Sequence, residues 1–328
     1  METDVRNTGL MKIDIMIDGI KFSIDPEAVR YSDVLDFKSF GNRHRAKYNG
    51  LIIDLYDHSC YVRGSIHKYS NNGLHNANDF TLSKFIETLH DLCLTLNIKP
   101  ERTLFHSIEF GVNLEIPNDI NLFINSIVYC RNGEINKNSL GIEIPFTEYR
   151  IKMYKKVHKG VDLLRYEVSI RKSRRVKNIS KTYVSFSNTL ADLTNYQLWK
   201  AFANELLTVY DDILIVDAES IDMTKLKKTE LKIFINGSNS DYWLKKWTNR
   251  TQRSYYLNQF KQLLKKHSTN SIKNEVRMLI CDKINTLIDI KAIPIYTPEF
   301  VININNKPYA FTIGEQSKDL QNPYAFTL

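Results

Sequence analysis

The chain has 328 residues, 43% of them hydrophobic and 25% charged. These are the values of an ordinary folded protein of one large domain or two, and they exclude a disordered, fibrous or small disulfide-stapled chain. The net charge of +8 is segregated: residues 150–181 hold twelve Lys/Arg against two acids and residues 225–283 hold fourteen against four, which leaves −12 for the remainder.

Two basic blocks in an otherwise acidic chain point to a polyanion partner, nucleic acid first, with two solvated helix faces as the plainer reading. No apolar run approaches the ~18–20 residues of a membrane span. The first residues carry no basic stretch followed by an apolar core, so no secretory signal is read. Four scattered cysteines without a Cys-x-x-Cys pair argue against a zinc site or disulfide framework and for the cytoplasm.

In chain order, residues 12–24 alternate apolar and polar, split by Asp18-Gly19, which predicts a two-residue hairpin. Strands are predicted over 48–55 and 61–69, with turns at 57–59 and at Asn71-Asn72-Gly73. Asp79 or Thr81 is placed to cap a helix to about Asn97, which Pro100 ends. A core strand over 106–116 and a helix over 120–129 follow. Residues 148–155 predict a strand with Tyr149, Ile151 and Met153 on one face and Arg150, Lys152 and Tyr154 on the other. After a turn at Lys159-Gly160, residues 163–171 place Leu163, Arg165, Glu167, Ser169 and Arg171 on one face. Leu164, Tyr166, Val168 and Ile170 form the core face, so the polar stripe reads as a sheet face turned to a ligand. Helices are predicted over 198–210, 242–267 and 271–290, then an irregular or extended tail with two copies of PYAFT.

The chain has no phosphate-binding P-loop, no Gly-x-Ser-x-Gly, no His-Glu-x-x-His and no His-x-His pair. Three polar stretches stand out instead. The first, residues 64–79, is rich in Gly, Asn and His and suits phosphate or base contacts, or is an ordinary polar loop. The second places Ser107, Glu109, Gly111 and Asn113 on one strand face. The third joins Lys152 and Tyr154 to Arg165 and Glu167. A tyrosine beside cations has its pKa lowered toward nucleophilic use. Glu109 and Glu167 on adjacent strands suit one Mg²⁺ or Mn²⁺ at a phosphodiester.

The order Ile108-Glu109-x-Gly111-x-Asn113, Tyr154-x-Lys156, Leu164-Arg165-Tyr166-Glu167, then a basic segment and a mainly helical second half, resembles the rolling-circle replication-initiator nicking proteins of filamentous phages and related bacterial plasmids. The stretch GSIHKYSNNGLHNANDF is similar to phage and plasmid replication proteins of Bacteroidetes. The resemblance covers about residues 61–195. It implies a DNA-nicking and -joining endonuclease with Tyr154 as nucleophile, Lys152 and Arg165 beside it, and Glu109 and Glu167 as ligands of Mg or Mn, with His67 or His75 as a third. Two positions depart from the pattern: Ser107-Ile108-Glu109 stands where Arg-x-Asp is usual, and Lys155 where Asp or Asn often follows the tyrosine.

The expected architecture is α+β: a catalytic domain on an antiparallel sheet (1–187), a helical DNA-binding region (188–293) and the tail (294–328). Arg171, Arg174 and Arg175 would grip the scissile strand. Lys245, Lys246, Arg250 and Arg253, interleaved with Trp243 and Trp247, would bind the duplex or stack on an unpaired strand. The plainer reading makes those tryptophans core. The expected partners are a supercoiled duplex origin, its single strand and, as a further candidate, a host helicase, with no membrane. The rival readings are a non-catalytic origin-binding protein and a relaxase or transposase.

Overall fold

The computed structural model describes residues 17–287, except Asp79, Asn132, Lys245, Lys246, Thr248 and 269–271, together with the backbone of 302–304 and 307–309. The fold is α+β. Its centre is a ten-stranded antiparallel sheet, built from β1 (Ile17–Ile24), β2 (Lys38–Phe40), β3 (Arg43–Tyr48), β4 (Leu51–Leu55), β5 (Cys60–Ser65), β6 (Phe105–Leu114), β8 (Asn136–Asn138), β9 (Gly141–Pro145), β10 (Tyr149–His158) and β11 (Val161–Ile170). The order across the sheet is β2-β3-β4-β5-β1-β6-β11-β10-β9-β8. Strand β7 (Ile127–Cys130) pairs instead with β12 (Ile213–Ile215).

Period-two alternation sorts the sheet into two faces. Phe22, Ile53, Val62, Phe110, Val112, Met153, Tyr166 and Val168 are fully buried. They share one core with helices α3 (Leu82–Thr95), α6 (Tyr196–Asp211) and α10 (Ile272–Leu287). Phe110 stacks on Phe202 at 4.7 Å between ring centroids, and Tyr166 donates its hydroxyl to the Leu206 carbonyl at 2.8 Å. This core draws on both sides of residue 187, from Ile17 to Ile215 and again from Ile272 to Ile284. A second cluster joins Tyr129 and Leu214 to Phe234, Trp243, Phe260 and Leu263. These come from β7, β12 and helices α7 (Lys228–Gly237), α8 (Ser240–Leu244) and α9 (Arg250–His267). Trp243 is therefore core, as the plainer reading has it. Among the described residues no helix is long and apolar enough to cross a membrane.

Several predicted elements change form. Asp18-Gly19 is not a hairpin turn. Ile17 pairs with Phe110 and Ile20 with Ile108, so the two residues oppose Glu109 alone in a β-bulge inside β1. The hairpin is at Asn49-Gly50, both with positive φ (44° and 86°), as a two-residue loop with primed-turn geometry demands. Predicted strand 61–69 stops at Ser65, whose hydroxyl accepts from the Lys68 amide at 2.9 Å and caps the short helix α2 (Ile66–Ser70). The segment 120–129 divides into α4 (Ile120–Asn125) and β7. The segment 242–267 divides because Asn249 caps a fresh helix, accepting from the Gln252 amide at 2.7 Å. The strands at 148–155 and 163–171, the capping by Thr81 and the turn at Lys159-Gly160 form as predicted, and Asn195 caps α6. Helix α5 (Ser173–Ser180) follows β11, and α1 (Glu27–Arg30) follows β1. In the expected tail, β13 (Ile302–Ile304) pairs with β14 (Lys307–Tyr309); the rest of it lies outside the described residues.

Gly111 faces Glu167 across the β6–β11 pairing, and a Cβ there would lie 2.1 Å from the Tyr166 carbonyl oxygen and 2.8 Å from the Glu167 Cα. Backbone cannot yield as a side chain does. Gly111→Ala should therefore lower unfolding stability by about 1–3 kcal/mol in a urea titration. Wild-type stability in that variant would contradict the close approach.

Candidate active site

The other sheet face carries the polar alternates. Arg165 in β11 is its anchor: a guanidinium 1% exposed, with four partners. It donates to Asp18 Oδ2 at 2.6 Å, to Asn113 Oδ1 at 3.2 Å, to the Asn76 carbonyl at 3.4 Å and, through Nε, to Glu167. The bulge in β1 makes the first contact available, because it sets Asp18 beside Ser65, whose hydroxyl donates to Oδ1. Asn76, from the loop after α2, donates to Asp18 Oδ2 at 2.7 Å. Lys156 Nζ reaches the Asn76 carbonyl and side-chain oxygens at 2.6 and 2.9 Å.

Around this anchor the predicted residues converge. Lys152 Nζ lies 2.6 Å from Glu109 Oε2 and 3.4 Å from Glu167 Oε2, and the Tyr154 hydroxyl donates to Glu167 Oε1 at 3.3 Å. The pairings β6–β11–β10 place them so: Lys152 is level with Glu167 and Tyr154 with Arg165, with Glu109 one step along beside Ser169. Asp18, Glu109 and Glu167 each offer an oxygen, all within 4.8 Å of one another. An octahedral Mg²⁺ or Mn²⁺ with bonds near 2.1 Å spans its opposite ligands by about 4.2 Å. The three carboxylates therefore suit a hard, oxygen-seeking ion, which would compete with the Lys152 ammonium for Glu109.

His67, the expected third ligand, lies outside this trio. It is fully buried in α2, stacked on Phe80 at 4.5 Å, with Nε2 against Asn78 Oδ1 at 2.8 Å. Asp18 supplies the third carboxylate of the cluster. Sequence reasoning missed it by reading Asp18-Gly19 as a turn; the usable signal was a carboxylate inside an apolar alternation.

The electrostatics follow from burial among charges. Burial and the neighbouring Glu167 push the Glu109 carboxyl up, against Lys152. Burial also opposes ionisation of Asp18, but Arg165 and the hydrogen bonds from Ser65 and Asn76 outweigh it and hold its pKa below the usual carboxylate range. The expected lowering of the Tyr154 pKa does not hold: burial and the three carboxylates outweigh Arg165 and push the phenol up. A phenol so raised would act as a nucleophile only if its proton were taken as the bond formed, and the Glu167 carboxylate is the group its hydroxyl donates to. Burial and Arg165 lower the Lys156 ammonium to about 8.

The expected phosphate-gripping arginines each have an acidic neighbour. Arg174 pairs with Glu148, and Arg175 pairs with Glu205 while lying 4.9 Å from the Tyr149 ring centroid. Arg171 sits 3.5 Å from Glu143. Arg175 thus ties α5 to α6. Lys245 and Lys246 lie outside the described residues. Arg250 and Arg253 border a cavity of about 460 Å³ lined also by Tyr129, Trp243 and Trp247, well apart in the chain from the acid trio.

No protein-family model matches this chain, and no curated protein matches it.

Two predictions follow from the geometry. Burial depresses His67 to about 4, whereas an unfolded histidine titrates near 6.5. The unfolded chain then binds the extra proton first, so stability present above pH 6.5 is lost as pH falls toward 4, by roughly 3 kcal/mol. The difference in unfolding free energy between wild type and His67→Gln should shrink by that amount over this window; a constant difference contradicts a neutral, buried His67. Mn²⁺ titrated into the protein and followed by electron paramagnetic resonance should show one site that Glu167→Gln weakens at least tenfold and Lys152→Met tightens. Equal affinity in all three proteins would exclude the trio as the site.

Proposed function

We propose that this protein nicks and rejoins one strand of DNA through a covalent tyrosine intermediate, as a rolling-circle initiator does at a phage or plasmid origin. The observation that carries the reading is the Tyr154 hydroxyl on the Glu167 carboxylate, itself fixed by Arg165, beside Glu109 and Lys152. A nucleophile, a base and a group that orients the base are the components of activated nucleophilic catalysis. The sequence resemblance arrives at the same residues from their order along the chain.

In the forward step Tyr154 Oη attacks phosphorus and its proton passes to Glu167. The bond from phosphorus to the 3′ oxygen breaks, and that oxygen leaves as a free 3′-hydroxyl on taking a proton from Lys152. The 3.4 Å contact from Lys152 to Glu167 then lets the proton return. The product is a 5′-phosphotyrosine, which keeps the energy of the phosphodiester, so a 3′-hydroxyl rejoins the strand by the reverse path without a nucleotide cofactor. A divalent cation held by Asp18, Glu109 and Glu167 would supply charge neutralisation at the scissile phosphate. Arg165, buried and fully engaged, is a positioning residue here: it holds Glu167 and Asp18.

One observation favours the non-catalytic rival. Lys152, Arg165 and Lys156 already match the three acids in number, so the site is balanced without a ligand. The two readings separate on a supercoiled plasmid carrying the DNA that flanks the coding sequence, incubated with Mn²⁺. Wild type should leave a protease-sensitive adduct at a 5′ end. Tyr154→Phe should bind equally and form none, and Glu167→Gln should slow adduct formation by about 10²–10⁴-fold. Adduct retained in the Phe variant, or none with wild type, would overturn the nicking reading.

A further inference from the structure

The polar face does not end at the acid trio. Ser107, two residues before Glu109 on the same face of β6, is level with Lys21 of β1. Lys21 is level with Arg63 of β5, Arg63 with Ile52 of β4, and Ile52 with Lys47 of β3. This cross-strand row lies about 7 Å along the strands from the row that holds Glu109. The next row adds Arg45, level with Asp54, and Tyr61 beside it. Five cations of these strands (Lys21, Arg43, Arg45, Lys47 and Arg63) thus share the face with two carboxylates, Asp54 and Asp18, and Asp18 is already matched by Arg165.

Asp54 organises the arginines rather than cancelling them. Its buried carboxylate meets Arg45 Nε at 2.6 Å, Arg43 Nε at 3.3 Å and Arg63 Nε at 3.4 Å. A guanidinium has five N–H donors, so three of them on one carboxylate leave most of their donors unused by it and a net positive charge on this face, with Arg43 and Arg63 partly exposed. Rings are interleaved with the charges. Lys21 Nζ sits 5.2 Å from the Tyr61 ring centroid, and Tyr61 contacts Tyr56 at 6.2 Å and His106 at 5.9 Å. Phe40 of β2 is half exposed, with Arg45 5.6 Å from its centroid. Cations that track a backbone, with half-exposed rings between them, are what an unpaired nucleic-acid strand needs for phosphates and stacked bases. A rigid duplex has no free base faces to offer such rings.

We propose that the β3–β4–β5–β1 face is the bed of the single DNA strand that leads into the Tyr154 site. The inference rests on the nicking reading for what happens at the end of that strand. It assigns substrate binding to the N-terminal strands, whereas the two basic blocks evident in the sequence lie elsewhere.

The test uses the full-length protein and a fluorescent twenty-nucleotide oligo(dT), with anisotropy read across a KCl series in EDTA, so that no cleavage intervenes. The variant Lys21→Gln/Lys47→Gln/Arg63→Gln should lower the slope of log K against log salt by about 2, at ~0.7 for each lost phosphate contact on a single strand. Its affinity for a duplex of the same length should be unchanged. Tyr61→Leu should weaken oligo(dT) binding roughly 5- to 100-fold with the slope intact, since only stacking is lost. Lys21→Arg/Lys47→Arg should restore the wild-type slope, which excludes a folding defect as the cause. An unchanged slope in the Gln variant overturns the proposal, as does an equal loss toward oligo(dT), duplex and heparin. If wild type forms the Tyr154 adduct while the Gln variant keeps its slope, the strand bed fails alone. If wild type neither binds oligo(dT) nor forms the adduct, the reading of the site fails with it.

Discussion

The site depends on one buried guanidinium. Arg165 is held from three sides, by Asp18 of β1, Glu167 of its own strand and Asn113 of β6, with the Asn76 carbonyl above. Desolvating that charge is costly, and a buried ion pair gains little stability over a well-packed apolar cluster. Removing one partner, however, costs about 3–5 kcal/mol. The arrangement is therefore better understood as a positioning device than as a source of stability. It sets two of the three carboxylates of the trio, and through Glu167 it fixes the oxygen to which the Tyr154 hydroxyl donates. The Asp18-Gly19 bulge belongs to the same device, since a regular β1 would not oppose two residues to Glu109.

Strong periodicity made the centre of the site legible from sequence. The alternation in β10 and β11 placed Lys152, Tyr154, Arg165 and Glu167 on one face, and the antiparallel pairing then brought them level. Glu109 was legible for the same reason. Asp18 was not: an Asp-Gly pair is a turn signal in isolation, and only pairing with β6, far along the chain, turns it into a bulge. His67 illustrates the converse. Residues 61–69 continue an apolar alternation, which predicts one strand, but the Ser65 cap starts a helix and turns His67 into the core against Phe80. Asn49-Gly50 is a local hairpin signal inside the predicted strand 48–55, and the turn there leaves only 51–55 as β4.

Charge counted along the chain does not show which cations share a surface. The block at 150–181 contains arginines whose charge is met by nearby acids, as with Arg175 and Glu205 or Arg174 and Glu148. Those acids lie outside or at the edge of the block, so a count along the chain could not show the pairing. Arg43, Arg45 and Lys47 stand at every second position of β3 with no acid between them, and Arg63 lies apart in β5. Strand alternation puts the first three on one face, and the sheet register sets Arg63, Lys21 and Tyr61 beside them, in line with Ser107. A polyanion site is a property of one face, and strand pairing decides which charges share it.

The central claim is that Tyr154, held against Glu167, becomes the covalent link to DNA. The most direct measurement is mass spectrometry of the peptides released after the protein has reacted with DNA and Mn²⁺ and both have been digested. The account predicts a nucleotide 5′-phosphate on the peptide that contains Tyr154. The same mass on a peptide with another tyrosine, or on none, would contradict it.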